Sequence, residues 1–165
     1  MDLGEYKNFK LWYCIRCFWR NWFSIIYVKQ NGKQVIYNDI LKFNHAIGKA
    51  LIENNHTILN DDDIEFILTK RNIVYPTFIE DNFNGIFYLD EENKWLDMVI
   101  KNIKDISNEY KQSIALFALF QSCIIKRPYN LFHRSNLHIR TQDVERSFGN
   151  KKHGIHLSRY ILEIL

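Results

Sequence analysis

The sequence predicts an α/β chain in which one short strand and its following helix precede a mainly helical middle. Two observations carry that prediction. "KQVIYNDI" at 33 to 40 sets a β-branched and aromatic core after Gly32 and ends on the polar pair Asn38-Asp39, as a strand stopping at a turn does. From about 90 to 127, apolar residues recur at helical spacing over two long segments.

Taken in order, "ILKFNHAIGKALIEN" follows the strand and places Ile40, Phe43, Ile47, Ala50 and Leu51 on one helical face. Strand, turn and helix make half of a βαβ unit. "LNDDDIEFILT" offers Asn60 or Asp61 as an N-cap with acids in the first turn, which predicts a helix over 62 to 68. Pro76 and "NFNG" then mark an irregular connection.

"DEENKWLDMVIKNIKDI" opens on acids and carries Trp95, Met98, Val99, Asn102, Ile103 and Ile106 in helical order. "NEYKQSIALFALFQSCIIKR" is a second, more apolar helix that Pro128 stops. Beyond it, "PYNLFHRSNLHIRTQDVERSFGNKK" mixes aromatics, Arg, Asn and His without a period, as a surface or site-lining segment does.

A chain of 165 residues with 47% hydrophobic and 25% charged residues supports one domain, or part of one. Its longest apolar run, "SIALFALFQSCII", is shorter than the roughly 18 residues that span a bilayer. No secretory signal pattern is written at the start, so a cytoplasmic location is expected. Cys14 and Cys17 have the Cys-x-x-Cys spacing without a second pair, and His133, His138, His153 and His156 lack partners at ligand spacing. No metal site is expected.

The net charge of +3 is unevenly spread. Lys126, Arg127, Arg134, Arg140, Arg146, Lys151 and Lys152 crowd the stretch from 126 to 152 against only Asp143 and Glu145. That composition can pair with phosphates, read base edges and stack on an extruded base, and it also suits a solvated face whose Arg stems lie over apolar surface. Asp39, at the C-terminal end of a strand, is where an open α/β sheet places an acid for ribose hydroxyls. An Asn-Asp turn also ends many strands that bind nothing.

The run "FALFQSCIIKRPYNLFHRSNLHIRTQDVERSFGNKK" at 117 to 152 resembles the adenine-specific DNA methyltransferases that carry an Asp-Pro-Pro-Tyr motif. It is similar to a subgroup with a helical insert followed by "KRPYNLFHR", "RTxDVxRSFGN" and then "TWDxPFE". "VIYNDILKFNHAIGKALIENN" at 35 to 55 is similar to the stretch after that family's glycine-rich cofactor loop, and the resemblance spans about residues 29 to 152. It implies a fragment of a Rossmann-like methyltransferase sheet with a mainly helical insert.

Two departures interrupt it. Where the family has a "DxFGGTGS" loop, this chain has "RCFWRNWFS", and after "SFGNKK" the "TWDxPFE" element gives way to "HGIHLSRYI". Trp19 and Trp22 fall in the first departure and Trp12 lies just upstream of it, together three of the chain's four tryptophans. Tryptophan has a single codon, TGG, which read one base later always gives glycine. Shifted so, Arg16 through Ser24 permits "D[AV]FGGTGS" with two glycines forced, and the junctions after Lys152, shifted the opposite way, permit Thr-Trp-Asp-Thr-Pro-Phe-Glu. Residues 1–28 and 153–165 are therefore expected to be out of frame, 29–56 a βα fragment of the cofactor-binding domain, and 57–152 the helical insert with its DNA-contacting segment.

The resemblance implies an enzyme that moves a methyl group from S-adenosylmethionine to the exocyclic amine of a flipped adenine in double-stranded DNA, beside a cognate restriction endonuclease system. It implies Asp39, with Asn38 beside it, as the cofactor-ribose residues, and Lys126, Arg127, Asn130, His133, Arg134, Arg140 and Arg146 as DNA contacts. The Asp-Pro-Pro-Tyr motif is not written in this chain, so the polypeptide is expected to be catalytically inactive, with no catalytic residue of its own. The alternative is a non-catalytic helical DNA-binding or interaction module built from the helices at 90 to 127 and the basic tail.

Overall fold

The computed structural model describes residues 13–15, 22–126 and 137. The chain divides into two compact units, the first running to Thr57 and the second starting at Ile58.

The first unit contains strand β1 (Tyr13–Ile15), helix α1 (Trp22–Gln30), strand β2 (Val35–Tyr37) and helix α2 (Lys42–Gly48), which continues as a π-helical turn over Lys49–Glu53. β1 and β2 run parallel, with Tyr13 opposite Val35, Cys14 opposite Ile36 and Ile15 opposite Tyr37. Parallel neighbours need a crossover, and α1 provides it. Gly32, at φ 71°, ends α1 in the left-handed conformation, and the Lys33 amide reaches back to the Val28 carbonyl at 3.3 Å as a Schellman closure does.

The core of this unit is small. Ile25 and Ile52 are its buried centre, with Val35, Tyr37 and Leu51 packed against them. Alternation along β2 turns Ile36 to the opposite face, where it is exposed. Lys29, in the last turn of α1, donates to the carbonyls of Leu51 (3.3 Å) and Asn54 (2.6 Å), carbonyls that the end of the π-helical turn leaves without helical partners. The expected helical face is corrected in part: Ile47 and Ala50 are buried, but Ile40 precedes the helix at 96% exposure and Phe43 is also exposed. Asn44, Gly48 and Ile52 complete the buried side instead.

The second unit is helical among its described residues: α3 (Asp61–Leu68), α4 (Phe78–Phe83), α5 (Asp90–Lys104) and α6 (Glu109–Lys126). Its core joins Ile67, Leu96, Met98, Val99, Ile103, Ala115, Ala118 and Leu119. Asn60 caps α3 as expected, in a reciprocal box in which Asn60 Oδ1 accepts the Asp63 amide (2.9 Å) and Asp63 Oδ2 accepts the Asn60 amide (3.0 Å). The expected irregular connection after Pro76 contains a helix, α4. Its first amides, from Ile79 and Glu80, donate to the buried Asp97 carboxylate of α5 at 2.9 and 3.0 Å.

The described residues are thus mostly helical, with a single three-residue strand pair, and the wider Rossmann-like sheet is not among them. Among the described residues, no helix is long and apolar enough to cross a membrane.

Candidate functional site

Asp39 sits two residues beyond β2, in the turn that leads into α2. Its half-buried carboxylate gathers three donors from its own chain. The Leu41 amide donates to Oδ1 at 2.9 Å; the Tyr37 hydroxyl and the Asn44 side-chain amide donate to Oδ2 at 3.1 and 3.0 Å. These bonds hold Asp39 below the usual carboxylate range, the Leu41 amide foremost, against burial that pulls the other way.

The sequence makes this arrangement locally. Tyr37 ends the strand two residues before Asp39, with its ring against Gly48 at the end of α2, and Asn44 lies in the first turn of α2. Neither partner was expected; the period-two placement of Tyr37 relative to Asp39 is the signal that could have found it. An ionised carboxylate offers about four acceptor sites; these three donors take most of them, and the Ile40 amide adds a further stabilising pull on the charge. Asn38 is exposed beside Asp39.

Gly48 completes the local packing. A Cβ on Gly48 would stand 2.7 Å from Tyr37 Cε1, so the bare glycine lets the tyrosine ring lie against α2. An open cavity of about 470 Å³ lined by Lys29, Lys33, Val35, Ile52 and Glu53 lies at the other end of β2. Open α/β sheets bind ligands at the carboxyl ends of their strands, the Asp39 end.

The expected DNA contacts cannot be joined to this geometry. Arg127, Asn130, His133, Arg134, Arg140 and Arg146 lie outside the described residues, and Lys126 is described only as the last residue of α6. The four histidines and the Cys17 thiol also lie outside them. Among the described residues, no three His, Cys, Asp or Glu side chains group as metal ligands.

In the second unit Asn102 is completely buried, with both its donor and acceptor groups used. Its Nδ2 donates to the carbonyls of Ile67 (2.9 Å) and Thr69 (3.0 Å), and its Oδ1 accepts from Arg71 Nε (2.9 Å) and the Tyr75 hydroxyl (3.1 Å). Arg71 also pairs with Asp105 at 2.6 Å and lies 4.5 Å over the Phe66 ring. Asn102 therefore fastens the end of α3 and the following loop onto α5, a structural role.

No family model matches the chain, and no solved structure matches it. The chain is similar to the type II methyltransferase M2.HphI of Haemophilus parahaemolyticus, at 38% identity over 104 residues. Those residues are 63% of this chain, and the match covers 30% of the length of that methyltransferase. This chain is related, over that part of its length, to a type II methyltransferase.

Proposed function

We propose that this chain is a fragment of a site-specific DNA methyltransferase that transfers the methyl group of S-adenosylmethionine to the exocyclic amine of adenine, and that the polypeptide as written is itself inactive. The observation that carries the reading is the 38% identity over 104 residues to a type II methyltransferase. The strand, turn acid and helix around Asp39 support it, because they have the order in which an α/β sheet presents an acid to a cofactor ribose.

In the reaction, the adenine nitrogen attacks the sulfonium methyl in line, the carbon–sulfur bond breaks, S-adenosylhomocysteine leaves and the amine gives up a proton. Reaching that nitrogen requires the base to be turned out of the duplex. Holding the two reacting atoms in line is an entropic task, given in the resembled family to the glycine loop and the Asp-Pro-Pro-Tyr pocket. This chain has "RCFWRNWFS" in place of the loop and lacks the Asp-Pro-Pro-Tyr motif. Bulky residues cannot give the close backbone approach and positive φ that glycines allow.

The residues left to this chain are Asp39 and Asn38 for the ribose, and Lys126, Arg127, Asn130, His133, Arg134, Arg140 and Arg146 for DNA. The test is calorimetric titration with S-adenosylmethionine together with a methylation assay on duplex DNA. The expected result is no saturable binding and no methyl transfer; stoichiometric binding would overturn the inactive reading. The alternative of a non-catalytic DNA-binding module is favoured by one observation, that the helices from Ile58 onward have a core of their own.

A further inference from the structure

Building on the reading that this chain belongs to an enzyme of double-stranded DNA, we propose that the loop between α3 and α4 is a duplex contact in which Val74 enters the base stack as an apolar wedge and Lys70 lies on a neighbouring phosphate.

Val74 is 95% exposed and Ile73, beside it, 40%. Two adjacent β-branched residues in water add nothing to the core, yet the loop that carries them is firmly held. The Ile73 amide turns back to the Arg71 carbonyl at 2.9 Å, which makes Asn72 the centre of a γ-turn. The Arg71 amide donates to the Tyr75 hydroxyl at 2.8 Å, and that hydroxyl donates to the buried Asn102 Oδ1 at 3.1 Å. Pro76 disfavours helical backbone at Tyr75. Val74 therefore stands between two held residues, and its own side chain has few rotamers to lose. A rigid apolar tip binds at low entropic cost.

The charges around the tip select the partner. Lys70 and Arg71 precede it, and the Arg71 guanidinium meets Asp105, which Lys101 also pairs with. Lys104 comes one residue before Asp105 in the last turn of α5. Against these cations stand Asp105 itself and Glu65 in the last turn of α3. Positive charge stays in excess after the roughly half unit of negative charge that each helix C-terminus contributes. An apolar tip beside cations fits stacked bases flanked by phosphates. Arg71 is engaged by Asn102 and Asp105, so the phosphate contact falls to Lys70, which has no ion pair among the described residues. Phe78, exposed beyond Pro76, lies outside the contact, because Glu80 and Asp81 make that turn acidic.

Insertion of an apolar side chain unstacks a base step and bends the duplex. An unstacked step is also a cheaper place from which to turn a base outward, the movement that methyl transfer to adenine requires.

The test uses the full chain with Val74→Ser, Val74→Ile and Lys70→Gln, all at exposed positions. One probe is a short labelled duplex of mixed sequence, titrated at several salt concentrations. The other is a relaxed closed circular plasmid treated with a topoisomerase, which records unwinding as supercoils after the protein is removed. The parent chain should bind the duplex and leave supercoils. Val74→Ser should weaken binding about tenfold, the worth of burying one valine, and abolish the supercoils with the salt slope unchanged. Val74→Ile should keep both, and Lys70→Gln should lower the log–log salt slope by about 0.9. Duplex binding that Val74→Ser and Lys70→Gln leave unaltered overturns the proposal and keeps the DNA reading, carried then by the stretch from Lys126 to Arg146. No duplex binding by the parent chain overturns both. A Val74→Ser chain that binds DNA normally but loses self-association in sedimentation assigns the tip to a second copy of this chain, and overturns the proposal as well.

Discussion

The ring of Tyr37 occupies the space that a side chain on Gly48 would need, and the hydroxyl of the same tyrosine donates to Asp39 at 3.1 Å. One residue thereby fixes both the packing of β2 on α2 and the posture of the turn acid. Gly48→Ala should lower the thermal midpoint of the protein, because overpacking costs about 1–3 kcal/mol while the better helix former returns roughly 1. Adding Tyr37→Leu to Gly48→Ala should recover part of the loss. Equal destabilisation with and without the tyrosine ring would remove it as the cause.

Asn102 gives a second, larger expectation. It is buried with all four of its hydrogen-bonding positions filled. Asn102→Leu strands two carbonyls and the groups of Arg71 and Tyr75, and should cost about 2–4 kcal/mol at roughly 1–3 per unsatisfied buried group with partial relaxation. Urea unfolding measures this. Asn102→Asp should also destabilise, since a carboxylate has no N–H for Ile67 and Thr69.

Acid should loosen the second unit through Asp105 and Asp63. The Arg71 hydrogen bond, then that of Lys101, holds Asp105 below its ordinary 3.8. Burial works to raise Asp63, but the Asn60 amide and Lys111 outweigh it and hold it below 3.8 as well. Both are therefore depressed in the folded state, so their contribution is fully present above pH 3.8 and is lost as pH falls through the lower folded values. Stability measured against pH should drop below that point, and Asp63→Asn with Asp105→Asn should flatten the drop. An unchanged acid limb in the double variant would contradict the assignment.

If the basic stretch from Lys126 to Arg146 holds phosphates, duplex affinity should fall steeply with salt, by about 0.9 in log–log slope for each phosphate neutralised. Arg140→Gln should reduce that slope by about one and weaken binding to all sequences alike. A flat salt dependence would argue against phosphate contacts.

The helices that the sequence disclosed are those whose signals are local. Asn60 and the acids after it announce α3, and apolar spacing announces α5 and α6. Helix α4 escaped because its six residues follow Pro76 without a period, and its first amides are held by Asp97 from a helix later in the chain. α1 escaped for a related reason: apolar residues lie all round it, so no face stands out. Ile40 misled because its spacing fits a helix that starts only at Lys42. At the site, the strand end made Asp39 legible, whereas its partners Tyr37 and Asn44 depend on how the strand and helix fold onto each other.

The central claim is that this chain is a methyltransferase fragment whose two ends are read out of frame, and the coding DNA tests it directly. Sequencing in all three frames, from well before the Met1 codon to well beyond that of Leu165, should reveal the glycine loop one base away from Arg16 to Ser24, then Thr-Trp-Asp-x-Pro-Phe-Glu and Asp-Pro-Pro-Tyr downstream. Frames that encode none of these elements would contradict it and leave the residues after Ile58 as a helical module in their own right.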